Sequence, residues 1–170
     1  MSTVLDNAIL VGKETTYGTA VTLTRGYEAK SDTWVRKQEF LESKGMRTGA
    51  QAQRTGRSRA INMGGEGSIE CDVLSNGFGL IAQATLGAVS GPTLVSGTAY
   101  KTTCTTTTDD PNDSWTIQAL RADAAGTLRQ FTHKGCVITE WGIKQDVGGL
   151  LMFDGKFDFQ DVDTLSLIHI

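Results

Sequence analysis

Alternation of apolar and polar positions is clearest near the end of the chain. From Cys136 to Val147, the residues Val137, Thr139, Trp141, Ile143 and Val147 share one parity, with Glu140, Lys144 and Asp146 on the other. After Gly148 and Gly149, Leu151, Phe153, Phe157 and Phe159 fall together, opposite Met152, Asp154, Lys156, Asp158 and Gln160. Side chains two apart share a strand face, so this stretch predicts a long hairpin with a Gly-Gly turn, one face apolar and one charged. Charge along a strand face implies water there, as on an outer wall or the lining of a pore.

The stretch from Gly65 to Gly87 changes period halfway. Ile69, Cys71 and Val73 alternate with Ser68, Glu70 and Asp72, which predicts a half-buried strand. Beyond Ser75-Asn76-Gly77, the residues Phe78, Ile81, Ala82, Thr85 and Leu86 follow helical spacing. They predict one short helix over residues 76–86, capped by Ser75 or Asn76 and stopped by Gly87. Ile69, Val73, Phe78, Ile81, Leu86, Trp141, Phe153 and Phe157 are the expected core and helix-packing residues.

Elsewhere the pattern is of short strands and turns. Residues 1–24 are polar and Gly-containing, and read as an N-terminal arm or a packed extended segment. Strand character runs from Arg25 to about Glu42, with Trp34 and Val35 as its bulky anchors. Ser43 to Gly65 has almost no apolar content between two strand-like flanks, which predicts a long loop (residues 43–63) projecting from a hairpin. Ala88 to Thr98 reads as a Gly/Ser/Pro loop, and the threonines of Tyr100 to Thr107 favour a strand. Asp109 to Asp113 is a turn, and Trp115 to Leu120 and Leu128 to His133 alternate again. The fold class expected is mainly β, an antiparallel barrel or sandwich of about seven to eight strands with one helix, forming one domain over residues 25–163.

Composition sharpens this only in places. Twenty Gly, two Pro and many Thr suit strands joined by tight turns. No apolar run approaches the ~20 residues of a membrane-spanning helix, and the N-terminus lacks the pattern of a signal peptide. The reading is a protein made in the cytoplasm without a membrane partner. Cys71, Cys104 and Cys136 have no paired spacing and read as small apolar residues in strands. The net charge of −3 hides an asymmetry, since residues 36–60 hold seven basic and two acidic residues. The last six residues, LSLIHI, match the translated start of a transposon end used in preparing sequencing libraries. Residues 165–170 are therefore expected to be an adapter artefact, with the natural chain continuing after Asp163 or Thr164.

The candidate chemistry is sparse. His133 and His169 are the only histidines, and neither belongs to a metal-ligand spacing. His133, before Lys134 and Gly135, reads as a surface residue. No nucleophile elbow or phosphate loop is present, and carboxylate pairs such as Glu70/Asp72 read as solvated charge. The expectation is no enzyme, no catalytic residue, no metal and no cofactor. Basic residues 36–60 could grip phosphates, which needs only charge and reach. They could equally meet carboxylates on a partner, including the acidic body of another copy.

Four passages together resemble the tail tube proteins of long-tailed, non-contractile bacteriophages. They are VGKETTYGTAV (Val11 to Val21), FLESKGMRTG (Phe40 to Gly49), GSIECDVLSNGFGLIAQATLG (Gly67 to Gly87) and GCVITEWGIKQDVGGLLMFDGKFDFQD (Gly135 to Asp161). The resemblance implies a structural virion protein of the phage tail, made in the host bacterial cytoplasm. Its copies would close into rings and stack into a tube, with other tail proteins as further partners. DNA would pass through the lumen without specific binding. The resemblance also makes the long loop an inter-ring stacking loop, with Arg47, Arg54, Arg57 and Arg59 meeting acidic groups next door. Glu140, Asp146, Asp154 and Asp158 become candidates for the lumen face. Some members carry two such domains in tandem and build a six-fold-like ring from three chains. The alternatives are a related terminator or adaptor of the same tail, or a small nucleic-acid-binding β module using the basic loop.

Overall fold

The computed structural model describes residues 8–23, 25–42, 58–74, 77–106, 113–123 and 125–164. The chain is mainly β. In order it forms β1 (Ala8–Lys13), β2 (Arg25–Tyr27), β3 (Ala29–Glu42), β4 (Ser58–Asp72), α1 (Gly79–Leu86), β5 (Gly87–Ser96), β6 (Ala99–Thr106), β7 (Trp115–Ala122), β8 (Leu128–Gln145), β9 (Leu151–Phe159) and β10 (Asp161–Thr164). Eight of these strands join in the order β2-β1-β7-β8-β9-β4-β3, with β10 also on β8, while among the described residues β5 and β6 pair only with each other. Every pairing is antiparallel.

The long strand β8 makes the sheet fold back on itself. Its first half pairs with β7 from Leu128 to Cys136, and its second half pairs with β9 from Val137 to Gln145. The two halves of the sheet thus stack as a sandwich and do not close into a barrel. Between them lie Ile9, Val11, Ile69, Trp115, Ile117, Ala119, Cys136, Phe157 and Phe159. Burying such side chains contributes about 1.5–3 kcal/mol each. A smaller cluster of Cys71, Ile81 and Phe153 anchors α1, with Tyr27, Val73 and Phe78 packed around it.

The helix begins later than its stripe suggested. Phe78 is its N-cap residue and makes no side-chain cap; its ring instead meets Phe153 edge-on at 5.6 Å. Ser75 and Asn76 lie outside the described residues. The inward side carries Leu80, Ile81 and Ala84, and Leu86 is only half-buried. Ala88 to Thr98, read as a loop, is largely strand β5 and its turn. Residues 8–13 of the segment read as an arm form β1, which is hydrogen-bonded between β2 and β7. Residues 58–63, assigned to the projecting loop, belong to β4 and pair with β3. Their backbone makes the ladder, while the sequence Ser-Arg-Ala-Ile-Asn-Met mixes polar and apolar residues without a buried face to mark it as a strand.

Two core assignments change. Trp141 is 45% exposed. Ile138 packs inward opposite Phe157, in parity with Cys136, and a bulge between Ile138 and Glu140 then shifts the parity of β8. Trp141 and Ile143 follow on the same side as Phe153 but run past the packed part of the sandwich. His133 is the opposite case: it is 3% exposed and stacks on Trp34 at 4.0 Å.

Candidate assembly surfaces

The four strands β8, β9, β4 and β3 present one apolar and one wet face. Gly67, Ile69 and Cys71 of β4 and Phe153, Phe157 and Phe159 of β9 point inward. Their neighbours Glu66, Ser68, Glu70 and Asp72, and Asp154, Lys156 and Asp158, point out. Register places Glu66 opposite Asp158 and Glu70 opposite Asp154, with Glu140 opposite Lys156. Directly opposed like charges destabilise a sheet, so these carboxylate pairs are not there for stability.

Lysines on this face are engaged. Lys37 reaches Glu66 at 2.6 Å, Lys156 reaches Glu140 at 2.6 Å, Lys144 reaches Asp154 at 3.3 Å and Lys30 reaches Asp72 at 2.7 Å. The Glu140 carboxylate, by hydrogen bond and charge, raises the Lys156 ammonium above its ordinary value. Six carboxylates against four lysines leave the face acidic. Glu140, Asp154 and Asp158 are thus brought onto one surface. Asp146 is not among them: it sits in the β8–β9 turn, where its carbonyl accepts from Gly149 N–H.

Both margins of this face are open. Among the described residues β3 pairs with β4 alone, and Val137–Gln145 of β8 pair with β9 alone. Unpaired strand edges are templates for another strand. Beyond Gly64, β3 and β4 continue as a two-stranded arm without β9, exposing Phe40, Leu41, Ile61 and Met63. Arg59 lies on that arm, exposed and opposite Leu41. Arg47, Arg54 and Arg57 lie outside the described residues.

Sequence reasoning missed two internal fastenings. The buried carboxylate of Glu14 accepts from the Gly18 and Gly135 N–H groups, both at 2.9 Å, and from the Ser114 and Thr116 hydroxyls at 2.6 and 2.9 Å. It ties the segment after β1 to β7 and β8. The His133 Nδ1–H donates to the Ile117 carbonyl at 3.2 Å, and Phe159 meets the ring edge-on at 4.8 Å. Burial lowers the His133 pKa to about 4. Burial likewise pushes the Cys71 thiol up to about 11 and Cys136 higher still, so neither is an activated nucleophile. No cluster of metal-ligating side chains occurs among the described residues.

Residues 5–167 match the family described as phage tail tube protein. A comparison with curated protein sequences finds no match. Among solved structures, the fold is similar to a chain of the anti-feeding prophage tube-terminating cap, with a TM-score of 0.55 and 8% identity over 96% of this chain and 90% of that one. The SPP1 tail tube gives 0.54 at 8% identity over 95% of this chain and 77% of that one. A chain of the sheath–tube complex of the PVC extracellular contractile injection system gives 0.51 at 7% identity, covering 97% and 91%. Identities this low show a shared fold.

Proposed function

The chain belongs to the phage tail tube protein family, a structural component of the virion tail, and on that premise we propose how its copies assemble and what the assembly conducts. One observation carries the reading: an acidic four-stranded face is bounded by two free edges. Successive strands from β8 to β3 alternate in direction, so the two edges run opposite ways. Rotating a second copy about an axis roughly along the strands sets β3 of one against β8 of the next, antiparallel. Repetition closes a ring and removes both free edges of this face.

In that ring the wet face of each copy lines a channel, and the sandwich with its helix lies outside. A DNA conduit must not hold its cargo. The pairing of each lysine with a carboxylate, beside the unbalanced acids Asp158 and Glu70, supports a wall that repels phosphates. The β3–β4 arm leaves the sandwich along the strand direction, which supports its role in reaching the next ring. Arg47, Arg54, Arg57 and Arg59 would meet carboxylates there.

Negative-stain electron microscopy of the purified protein, with and without residues 43–57, tests this. Rings or tubes from the whole chain, and separate rings from the shortened one, are the expected outcome. Monomers from a well-folded whole chain, or stacked tubes without the loop, would overturn ring closure or the stacking role respectively.

A further inference from the structure

Two apolar surfaces have no cover among the described residues. The first is the β5–β6 ribbon, whose strands among the described residues pair only with each other and which packs chiefly against α1. In its register Val89 faces Cys104 and Leu94 faces Tyr100, and alternation along β6 puts both pairs on one side. Leu94 and Tyr100 are 60% and 66% exposed. A lone two-stranded hairpin is marginal in water, so an apolar ribbon of this kind calls for a surface to lie on.

The second is a groove of about 330 Å³ between the two halves of the sandwich, lined by Trp34, Phe131, Phe159 and Val162. Arg36 and Arg121 also line it, and each is engaged by a carboxylate of its own copy, Asp161 and Asp32. The groove therefore offers apolar area with its cations neutralised. That suits an uncharged side chain, and Lys101, the ribbon's one charged residue, alternates onto the ribbon's other face.

Position connects the two. The groove opens beside β3, one free edge of the four-stranded half. The ribbon leaves α1, which packs against β8, the strand carrying the other free edge. In a ring that sets β3 of one copy against β8 of the next, ribbon and groove would both lie along the shared seam, the ribbon running from the Cys71–Phe153 end toward the Phe159 end. We propose that the β5–β6 ribbon of one copy seats Leu94 and Tyr100 in the Trp34–Phe159 groove of its ring neighbour. Each copy gives one ribbon and receives one, a head-to-tail contact that repeats around a closed ring. The proposal rests on the ring reading above and adds a second, side-chain contact to the strand pairing.

Paired cysteines test it: Leu94→Cys with Val162→Cys, in a Cys104→Ser background, oxidised after assembly. A ladder of linked copies on a non-reducing gel is expected. A second variant, Leu94→Ser with Tyr100→Ser, should raise the concentration needed for ring formation about tenfold or more, the scale for removing buried anchors. Circular dichroism of the unassembled variant should be unchanged, because both side chains are exposed in a single copy. Rings seen by microscopy without a ladder, together with an unchanged assembly concentration, would overturn the ribbon contact and leave the ring standing. Absence of rings from the unsubstituted protein would overturn both.

Discussion

Glu14 is buried at 6% exposure and accepts hydrogen bonds from four donors. Replacing it with Ala orphans two backbone N–H groups and two hydroxyls, each of which is costly to bury unpaired. Glu14→Ala should lose about 3 kcal/mol in urea unfolding; a loss under about 1 kcal/mol would mean that water enters and takes the carboxylate's place. His133 makes a pH-dependent contribution. Its folded pKa of about 4 lies below the 6.5 of an exposed imidazole because burial disfavours the cation; Arg121 adds to this and Asp32 opposes it. The unfolded chain therefore binds the extra proton first. Stability from this group is complete above pH 6.5 and falls as pH drops through 6.5 toward 4, by about 3 kcal/mol in all. Comparison with His133→Phe isolates the effect from the carboxylates, since the variant should lack that portion of the pH dependence. Identical pH profiles of melting temperature for the two proteins would show that the imidazole does not titrate across folding. Neither residue announced itself in the sequence. His133 stands between Thr132 and Lys134, and its burial depends on Trp34, a hundred residues away in the chain. Glu14 sits in a polar run whose partners come from β7 and β8.

Elements with regular alternation were legible, and those without it were not. Ile69-Cys71 in β4 and Phe153-Phe157 in β9 bury as their spacing predicts, because register in a one-sided sheet is set by that pattern. The bulge in β8 is a backbone event with no marker in its residues, and Trp141 beyond it lies on the inner side but past the end of the packed core. Strand β5, made of Gly, Ser, Thr and Pro beside a few apolar residues, has no period to read. Glycines in β4 show a different kind of signal. A Cβ on Gly65 would collide with the Phe159 ring and the Val35 carbonyl, and one on Gly67 with the Trp34 indole. These bare positions let two aromatic rings lie flat across the strand, and the sequence pattern gives them only as gaps. Gly65→Ala should cost about 2 kcal/mol by overpacking, measured as a shift of the urea midpoint at constant slope. A neutral result would show that Phe159 swings aside, and its contact with His133 with it.

At the scale of the whole molecule, the proposed ring would account for the open edges of β3 and β8 in one copy. Long free edges with Val35, Trp141 and Ile143 exposed beside them would invite aggregation in a protein meant to stay single. In the proposed ring the same edges would be satisfied, and the paired lysines would keep the channel wall from gripping phosphates. The charged parity of β8 and β9 was readable as a wet surface, but whether it was an outer wall or a lining was not. That distinction depends on which edges are free, and edges come from topology. The most direct measurement is a cryo-electron microscopy map of the assembled protein at side-chain resolution. The account predicts a continuous antiparallel inner wall in which β3 of each copy pairs with β8 of the next, with Glu66, Asp154 and Asp158 facing the channel. A ring that turns this face outward, or copies joined through β2 or the helix with β3 and β8 still unpaired, would contradict it.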